Sequence, residues 1–354
     1  MTNDDKIINE FKRNRDDYVK VDQIAYDKIM DEVKKKNYFI MDVMHRVKDV
    51  DSLAGKINRK SGKYSDLLEI TDLCGFRIIC FFSDTVDAIA KSLEDVFEFD
   101  RENTVDKRAS LQATQFGYLS LHCICKLRAE DGIDERLTKI SFEIQIRTVL
   151  QHAWAEIEHD LGYKSDFGVP SPIRRNFSRV ASLLEIADRE FIGLRDDSIE
   201  YTETIRDKIA NDDCDDVEID GPSFKEFIKH NKSIIAFTQR LRDELALEIT
   251  YIESKNPIKQ LKFLNVEKLG SLIELLENNK EYAYNAIKKI VDEYAIDIMS
   301  SMVMINNLCE GELIRNNYSD EQIRQFVGIT VIDRAKAEKN AKRIMALRDE
   351  YNNA

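Results

Sequence analysis

The sequence predicts an α+β protein, with a mixed β-sheet flanked by helices over residues 1–210 and an all-α helical domain over residues 222–354. The sheet is indicated by residues 141–164, where strict alternation of polar and apolar side chains gives way to helical spacing. A second apolar run, residues 68–82, is typical of a buried strand. From Pro222 onward about five amphipathic segments indicate a helical bundle.

The composition is that of a folded chain of 354 residues, long enough for two modest domains. Lysine and arginine total 53 against 66 aspartates and glutamates, so the formal charge of −13 disfavours a coating of bulk nucleic acid. None of the six cysteines forms a C-x-x-C pair, which favours a reducing cytoplasm. The charged opening residues and the lack of a long apolar run predict a cytoplasmic protein with no signal peptide and no membrane contact.

The first 60 residues predict helices followed by a strand and another helix. Residues 5–37 carry spaced apolar side chains among many charges, which is consistent with one or two helices covering a domain. If a strand turns into a helix near Ser52, the basic residues around it converge: Arg46, Lys48, Lys56 and Arg59. The alternative interpretation of this cluster is a solvated basic face.

Residues 68–82 predict a strand entered through an acidic turn. Simple alternation puts Asp72 and Arg77 on opposite faces, but a bulge at Gly75 would let both side chains reach one pocket. A lone aspartate before an apolar strand is otherwise typical of a cap or turn. Residues 84–98 then predict a helix.

The next part of the chain predicts a loop and a strand with a polar face. Residues 101–116 are polar and without clean periodicity, so we expect a loop there. In the strand that follows, Tyr118, Ser120 and His122 share one face.

The strand and helix of residues 141–164 carry the densest group of polar side chains. The strand presents four of them on one face: Ser141, Glu143, Gln145 and Arg147. The helix is predicted to bury an apolar stripe: Leu150, Ala153, Trp154, Ile157 and Leu161. His152, Glu156 and His159 lie on another face at a spacing that can hold zinc, although no further ligand is evident.

The second half of the chain shows no catalytic constellation. A long amphipathic helix is predicted over residues 173–209, and the acidic, apolar-poor residues 211–221 predict a linker. For residues 222–354 we hypothesise a regulatory, partner-binding or homo-oligomer-forming role.

Three motifs in order resemble the RelA/SpoT family of alarmone synthetases: DLCGFR at residues 72–77, GYLSLH at residues 117–122, and EIQIRT followed by QHAWAEIEHDLGYK within residues 143–164. Members of this family transfer pyrophosphate from ATP to the 3′-hydroxyl of GDP or GTP. The likeness covers roughly residues 40–210 and implies a nucleotidyltransferase-like synthetase domain.

The resemblance implies roles for the residues that match the family pattern on the ATP side. Arg46 would pack on the adenine and Arg77 would face it, while the triphosphate would be neutralised by Lys48, Lys56 and Arg147. Asp72 would bind Mg²⁺, and Glu143 on the neighbouring strand would be the second Mg²⁺ ligand and the general base.

On the acceptor side the resemblance implies that Tyr118 stacks on guanine and that His122 lies near the phosphates. His152 and Glu156 would help to recognise the nucleotide, and Gln145 would orient a neighbour. The loop that clamps the acceptor departs from the commonest family pattern: it has Lys107 and Arg108 here, and Leu119 replaces an arginine.

Two other functions stay open at this stage. The altered loop favours toxic family members that place pyrophosphate on the 3′-terminal adenosine of tRNA, although the overall acidity of the chain argues against tRNA. A catalytically silent nucleotide sensor is the other alternative, and substitution of Asp72 or Glu143 would distinguish it from an enzyme.

Overall fold

The computed structural model describes residues 2–60, 62–106, 120–130, 132–162 and 171–353. Two compact units divide the chain between Arg195 and Asp196, earlier than the predicted domain end at residue 210. The boundary lies inside the predicted long helix, so sequence periodicity continues across it without a break. None of the described helices is both long enough and apolar enough to cross a membrane.

The first unit alternates helices and strands: α1 (Asn3–Lys35), β1 (Ile40–Val47), α2 (Val50–Arg59), β2 (Cys74–Cys80), α3 (Ser83–Val96), β3 (Phe97–Asp106), β4 (Leu121–Leu127), α4 (Glu135–Thr138), β5 (Phe142–Thr148), α5 (Val149–Gly162) and the beginning of α6 (Ser171–Ala210). The strands form one sheet in the order β1-β2-β5-β4-β3. Strands β2 and β5 are parallel and the other pairs are antiparallel, which confirms the predicted mixed sheet.

The core of the first unit lies on one face of this sheet. Helix α1 begins with a capping box between Thr2 and Asp5 and runs unbroken, with its apolar side buried in the core. Three phenylalanines from β2, β5 and β3 meet edge to face there: the ring of Phe142 lies 5.5 Å from that of Phe76 and 5.2 Å from that of Phe97.

Two expectations for this unit were wrong. Residues 101–106, predicted as part of a loop, belong to β3, where Val105 pairs with His122 of β4. The core stripe of α5 does not extend as predicted, since Trp154 is buried but Ile157 and Leu161 are 54% and 67% exposed. Helical spacing identified the apolar residues without showing where the packing surface beneath them ends.

The second unit contains the end of α6 and seven further helices: α7 (Gly221–His230), α8 (Lys232–Leu245), α9 (Asn256–Phe263), α10 (Leu269–Tyr294), α11 (Ser301–Arg315), α12 (Asp320–Gly328) and α13 (Arg334–Asn353). A short parallel sheet pairs β6 (Glu248–Thr250) with β7 (Ile298–Ser300), so the predicted all-α domain is helical with one small sheet. The prediction of about five segments was too low, and three of the seven helices, α7, α9 and α12, are only 10, 8 and 9 residues long, which is too short for a clear period.

Residues 211–221 are packed within the second unit and do not form a linker. Cys214 and Ile219 are buried in its core, and the backbone N–H of Ile219 donates to the carbonyl of Glu267 at 2.7 Å. The backbone of Asp215 lies directly against Gly270 of α10. The acidic side chains made this segment look solvated, but its few apolar residues point inward.

The contact at Gly270 predicts a sharp effect on stability. A Cβ on this residue would lie 2.9 Å from the Cα and the carbonyl oxygen of Asp215, and backbone atoms cannot rotate away. We expect Gly270→Ala to lower the free energy of unfolding of the second unit by about 1 to 3 kcal/mol. Urea denaturation followed by circular dichroism measures this change.

Gly328→Ala, in α12 of the same unit, is the matched control, because an added Cβ there has no neighbour within 4 Å. It should be neutral or stabilising by up to about 1 kcal/mol, since alanine favours a helix over glycine. Equal stability of Gly270→Ala and the unsubstituted protein would show that the approach of Asp215 to α10 is looser than described.

Candidate active site

The register of the sheet lines up polar side chains on the face opposite the core. In one row Arg46 lies beside Gly75, and Gly75 lies beside Glu143. In the next row Arg77 pairs with Gln145, which in turn pairs with His122. Residues that are far apart in the chain therefore share one surface, as the alternation in β5 predicted.

At the edge of this surface two lysines hold the carboxylate of Asp72. Lys48 Nζ donates to Asp72 Oδ2 at 2.9 Å, and Lys56 Nζ contacts Asp72 Oδ1. Lys56 is brought there by α2, whose N-cap Asp49 accepts a hydrogen bond from the backbone of Ser52. The strand-to-helix turn near Ser52 thus brings Lys48 and Lys56 together, as predicted, whereas Arg59 is exposed at the end of α2 and lines neither cavity described below.

Asp72 reaches the surface without the predicted bulge at Gly75. Strand β2 begins at Cys74, so Asp72 precedes it and the alternation of the strand does not apply to its side chain. The pairing of Cys74 and Gly75 with β1 and β5 is continuous. Gly75 instead leaves open space beside Arg46 and Glu143, since a Cβ there would have no neighbour within 4 Å.

The environment of Asp72 keeps its carboxylate ionised. Burial alone would raise the pKa of Asp72, but the hydrogen bonds and positive charges of Lys56 and Lys48 outweigh it and hold the pKa below its usual value. The carboxylate is therefore fully charged at neutral pH.

Glu143 is held by its own set of polar neighbours. Its Oε1 lies 2.7 Å from His122 Nδ1, and its Oε2 accepts a hydrogen bond from Gln145 Nε2 at 2.9 Å. His122 Nε2 lies 2.8 Å from Ser120 Oγ, so a neutral imidazole would donate to Glu143 and accept from Ser120. Burial raises the pKa of Glu143, but the contacts with His122 and Gln145 together outweigh it, and the net pKa lies below its usual value.

Guanidinium groups occupy the part of the surface next to α5. Arg77 Nη1 donates to Glu156 Oε1 at 2.8 Å, and Arg147 contacts the side-chain oxygen of Gln145. Arg147 is 4% exposed, and burial together with the charge of Arg77 lowers its pKa to about 10, so it stays charged at neutral pH. Burial and then the charge of Arg147 lower the pKa of His152.

Two adjoining cavities open on this surface. The first has a volume of about 210 Å³ and is lined by Met44, His45, Arg46, Lys48, Asp72, Gly75, Phe76, Arg77, Glu143 and Gln145. The second, of about 390 Å³, is lined by Arg46, Arg77, Ser120, His122, Gln145, Arg147, Trp154, Ala155, Glu156, Glu158 and His159. Arg46, Arg77 and Gln145 line both, which makes them the border between the two spaces.

Most of the predicted site residues thus lie around these cavities. Lys56 reaches the group through Asp72, and Arg147 lines the second cavity, away from Lys48 and Asp72. The acceptor-loop residues Lys107, Arg108 and Tyr118 lie outside the described residues. Within the described chain no group of three histidine, cysteine or acidic side chains is placed to hold a metal, so the zinc alternative for α5 has no support.

Several residues near the site were not identified from the sequence. Ser120 and Trp154 line the second cavity, and the indole N–H of Trp154 is buried without a hydrogen-bond partner among the described residues. The shared face of Ser120 and His122 was a usable signal for the first. Trp154 gave no such signal, since a tryptophan on an apolar stripe is typical of core packing.

Helix α1 fixes the strand that carries Arg46 and the residue that follows this strand, Lys48. His45 Nδ1 lies 2.7 Å from Asp22 Oδ2, and its ring stacks on Tyr26 at 4.2 Å. Arg15 donates to the backbone carbonyl of Lys48 at 3.2 Å. These contacts join residues far apart in the chain, and periodicity does not reveal such pairs.

The donor set fits a magnesium ion. Asp72 and Glu143 are both carboxylates, line the same cavity, and interact, because the charge of Asp72 acts to raise the pKa of Glu143. One or two carboxylates completed by substrate phosphates and water are the ligands that Mg²⁺ prefers. A divalent cation between the two carboxylates would relieve their mutual repulsion.

Comparison with known proteins gives a consistent set of relatives. Residues 45–167 match the family model for the region found in RelA / SpoT proteins. GTP pyrophosphokinase YjbM of Bacillus subtilis (strain 168) is 30% identical over 154 residues, which are 43% of this chain and 71% of that protein. GTP pyrophosphokinase YwaC of the same organism is 30% identical over 157 residues, 42% of this chain and 71% of that protein.

A solved structure, the small alarmone synthetase 1 from Bacillus subtilis, is 25% identical, with a TM-score of 0.46. The match covers 54% of this chain and 99% of that one. All predicted site residues, from Arg46 to Glu156, lie within the residues matched by the family model.

The two lysines predict how Asp72 responds to pH. The Lys48→Met, Lys56→Met double variant removes the hydrogen bonds and charges that lower the pKa of Asp72. Burial, which raises this pKa, remains, so the pKa should rise above its usual value. Because the pKa is lowered in the unsubstituted protein, Asp72 stabilises the fold above its unfolded-state pKa, and this stability is lost as pH falls through the folded-state pKa. In the double variant the carboxyl should protonate at a higher pH.

Carboxyl ¹³C NMR titration, with Asp72→Asn to assign the signal, measures the change. Lys60→Met is the control, because Lys60 is exposed at the end of α2 and makes no contact with Asp72. An unchanged pKa in the double variant would mean that the lysines do not hold the carboxylate.

Proposed function

The chain belongs to the RelA/SpoT family, and from that premise we propose that it is a GTP or GDP pyrophosphokinase that makes the alarmone (p)ppGpp. It would transfer pyrophosphate from ATP to the 3′-hydroxyl of GTP or GDP. The observation that carries this proposal is that one cavity wall brings together two carboxylates, a lysine and two arginines: Asp72, Glu143, Lys48, Arg46 and Arg77. Charged groups of both signs are what phosphoryl transfer between two nucleotides requires.

ATP is assigned to the first cavity. Lys48 and Lys56 lie together at its acidic edge and can move from Asp72 to the phosphates, where each neutralises negative charge. Arg46 and Arg77 present planar guanidinium groups, which suit stacking on adenine. The bond between Arg77 and Glu156 keeps that guanidinium in a fixed orientation.

In the reaction, the 3′-hydroxyl oxygen of the acceptor attacks the β-phosphorus of ATP, the bond from that phosphorus to the α,β-bridging oxygen breaks, and AMP leaves. Glu143 is the candidate acceptor of the hydroxyl proton, since it is ionised, lines the first cavity and accepts a hydrogen bond from Gln145, which lines both cavities. His122 positions the Glu143 carboxylate by its hydrogen bond. In a loose transition state the hydroxyl loses its proton late, when its oxygen is already bonding to phosphorus. The hydroxyl is then acidic enough to give its proton to a carboxylate whose pKa is lowered.

Magnesium is proposed as the cofactor on the donor set described above. Asp72 and Glu143 would hold it, and when bound it supplies positive charge to the phosphoryl oxygens. The lysines on Asp72 would then serve the phosphates, so the same carboxylate is stabilised before and after substrate binding.

The acceptor is assigned to the second cavity. Its wall combines His122 and Glu156 with Arg147, which we predicted on the triphosphate of ATP and now assign to the acceptor because it lines this cavity. His152 lies next to this wall on α5, where its Nδ1 is 4.0 Å from Glu156 Oε1. Tyr118 remains predicted to stack on the base of the acceptor, and Lys107 and Arg108 remain predicted to clamp it.

One alternative acceptor is favoured by a specific observation. The acceptor loop carries Lys107 and Arg108 in place of the commonest family pattern, and adjacent cations suit a tRNA backbone.

The location is proposed to be cytoplasmic, which is supported by six free, buried cysteines that fit a reducing compartment.

The test follows transfer of label from β,γ-labelled ATP to GDP, GTP and deacylated tRNA, each offered in parallel to the full chain. We expect label on a guanine nucleotide, with Mg²⁺ present, and a fall of about 10² to 10⁴-fold in Glu143→Gln because the base is lost. Glu130→Gln is the matched control, since Glu130 pairs with Lys28 on the surface and should leave the rate unchanged.

The other outcomes separate the alternatives. Label on tRNA alone would replace alarmone synthesis by modification of tRNA. Absence of label on all three acceptors would reject the enzyme in favour of a nucleotide sensor.

A further inference from the structure

The second unit contains a cavity that the proposed function does not use. It has a volume of about 300 Å³ and lies between α9, α11, α13 and the segment that joins α12 to α13. Its lining consists of Asn256, Gln260, Met302, Val303, Asn306, Glu310, Val327, Thr330, Val331 and Asn340. A volume of this size is sufficient for a single small organic molecule.

One wall of the cavity is a chain of hydrogen-bonded polar side chains. Gln260 Nε2 donates to Asn306 Oδ1 at 2.6 Å, and Asn306 Nδ2 donates to Glu310 Oε1 at 2.9 Å. Gln260 is 1% exposed and Glu310 is 5% exposed, so these groups have been taken out of water. The two bonds use one N–H of each amide, and an amide carries a second N–H and a carbonyl oxygen with two lone pairs.

The charge of Glu310 is already neutralised inside the protein. Arg343 Nη2 donates to both of its carboxylate oxygens, at 2.9 and 2.7 Å, and Tyr282 OH lies 3.4 Å from Oε2. The lining residues include no lysine or arginine. The cavity therefore presents no free positive charge to a phosphate and no free carboxylate to a cation.

The remaining walls combine apolar side chains with further amides. Met302, Val303, Val327 and Val331 supply apolar surface, while Asn256 and Asn340 add amide groups at the rim. A flat molecule with apolar faces and a polar edge matches both kinds of wall. Paired donors and acceptors of an amide are also the groups that recognise the edge of a base by two hydrogen bonds.

We propose that this cavity binds an uncharged planar molecule that carries a hydrogen-bond donor next to an acceptor, as a nucleobase or a carboxamide does. The Gln260–Asn306–Glu310 chain would hold the polar edge, and the valines and Met302 would cover the ring. This site belongs to the part of the chain outside the match to the RelA/SpoT model, and it does not depend on the proposed pyrophosphate transfer.

Methionine methyl groups allow a direct test, because Met302 lines this cavity and Met44 lines the first cavity of the active site. The full chain is labelled with ¹³C in its methionine methyl groups, and the two signals are assigned with Met302→Leu and Met44→Leu. The probes are adenosine, guanosine, uridine, cytidine and nicotinamide, each titrated separately. The nucleosides test a base and nicotinamide tests a carboxamide.

We expect at least one probe to shift the Met302 signal saturably while the Met44 signal stays in place. Asn306→Leu, which removes the amide, and Val303→Phe, which fills the cavity, should each weaken that binding at least tenfold. Gln239→Leu on the exposed face of α8 is the control and should not change it.

The proposal is overturned if no probe shifts Met302, if only Met44 responds, or if both cavity variants bind as the unsubstituted chain does. The first outcome would leave the polar chain as a purely structural feature. Because Met44 and Met302 are read in one spectrum, binding at the active site cannot be mistaken for binding at the helical unit.

Discussion

The structure of the active site depends on how the charge of Asp72 is balanced. Asp72 and Glu143 line one cavity on the open face of the sheet, and two partly buried carboxylates repel each other. Lys48 and Lys56 offset the charge of Asp72. His122 and Gln145 stabilise the carboxylate of Glu143. The strand-to-helix turn, the register of β5 and the anchoring of β1 all bring these partners within reach.

This arrangement also explains why the site suits phosphate chemistry. Lys48 and Lys56 both contact Asp72, and under the proposed function the phosphates of ATP would compete for these lysines. The carboxylate of Asp72, once released by the lysines, would then be available to bind a cation. The sheet beneath these groups is packed on its core side by phenylalanine rings that meet edge to face.

Much of the site could be predicted from sequence because it follows from local periodicity. Alternation in β5 put Glu143, Gln145 and Arg147 on one face, and the register confirmed their neighbours. Asp72 was harder, since its position depends on where β2 begins. The anchoring of His45 by Asp22 was out of reach, because it joins two segments that only the fold brings together. Roles on the acceptor side rest on family resemblance, as do Lys107, Arg108 and Tyr118, which lie outside the described residues.

Under the proposed function, a nucleotide and a cation would meet at Asp72 by displacing Lys48 and Lys56. Binding of Mn²⁺, followed by electron paramagnetic resonance with and without α,β-methylene ATP, measures it most directly. We predict weak binding of Mn²⁺ alone, much tighter binding with the nucleotide, and loss of that gain in Asp72→Asn. Equal affinity with and without the nucleotide, or an undiminished gain in Asp72→Asn, would contradict it.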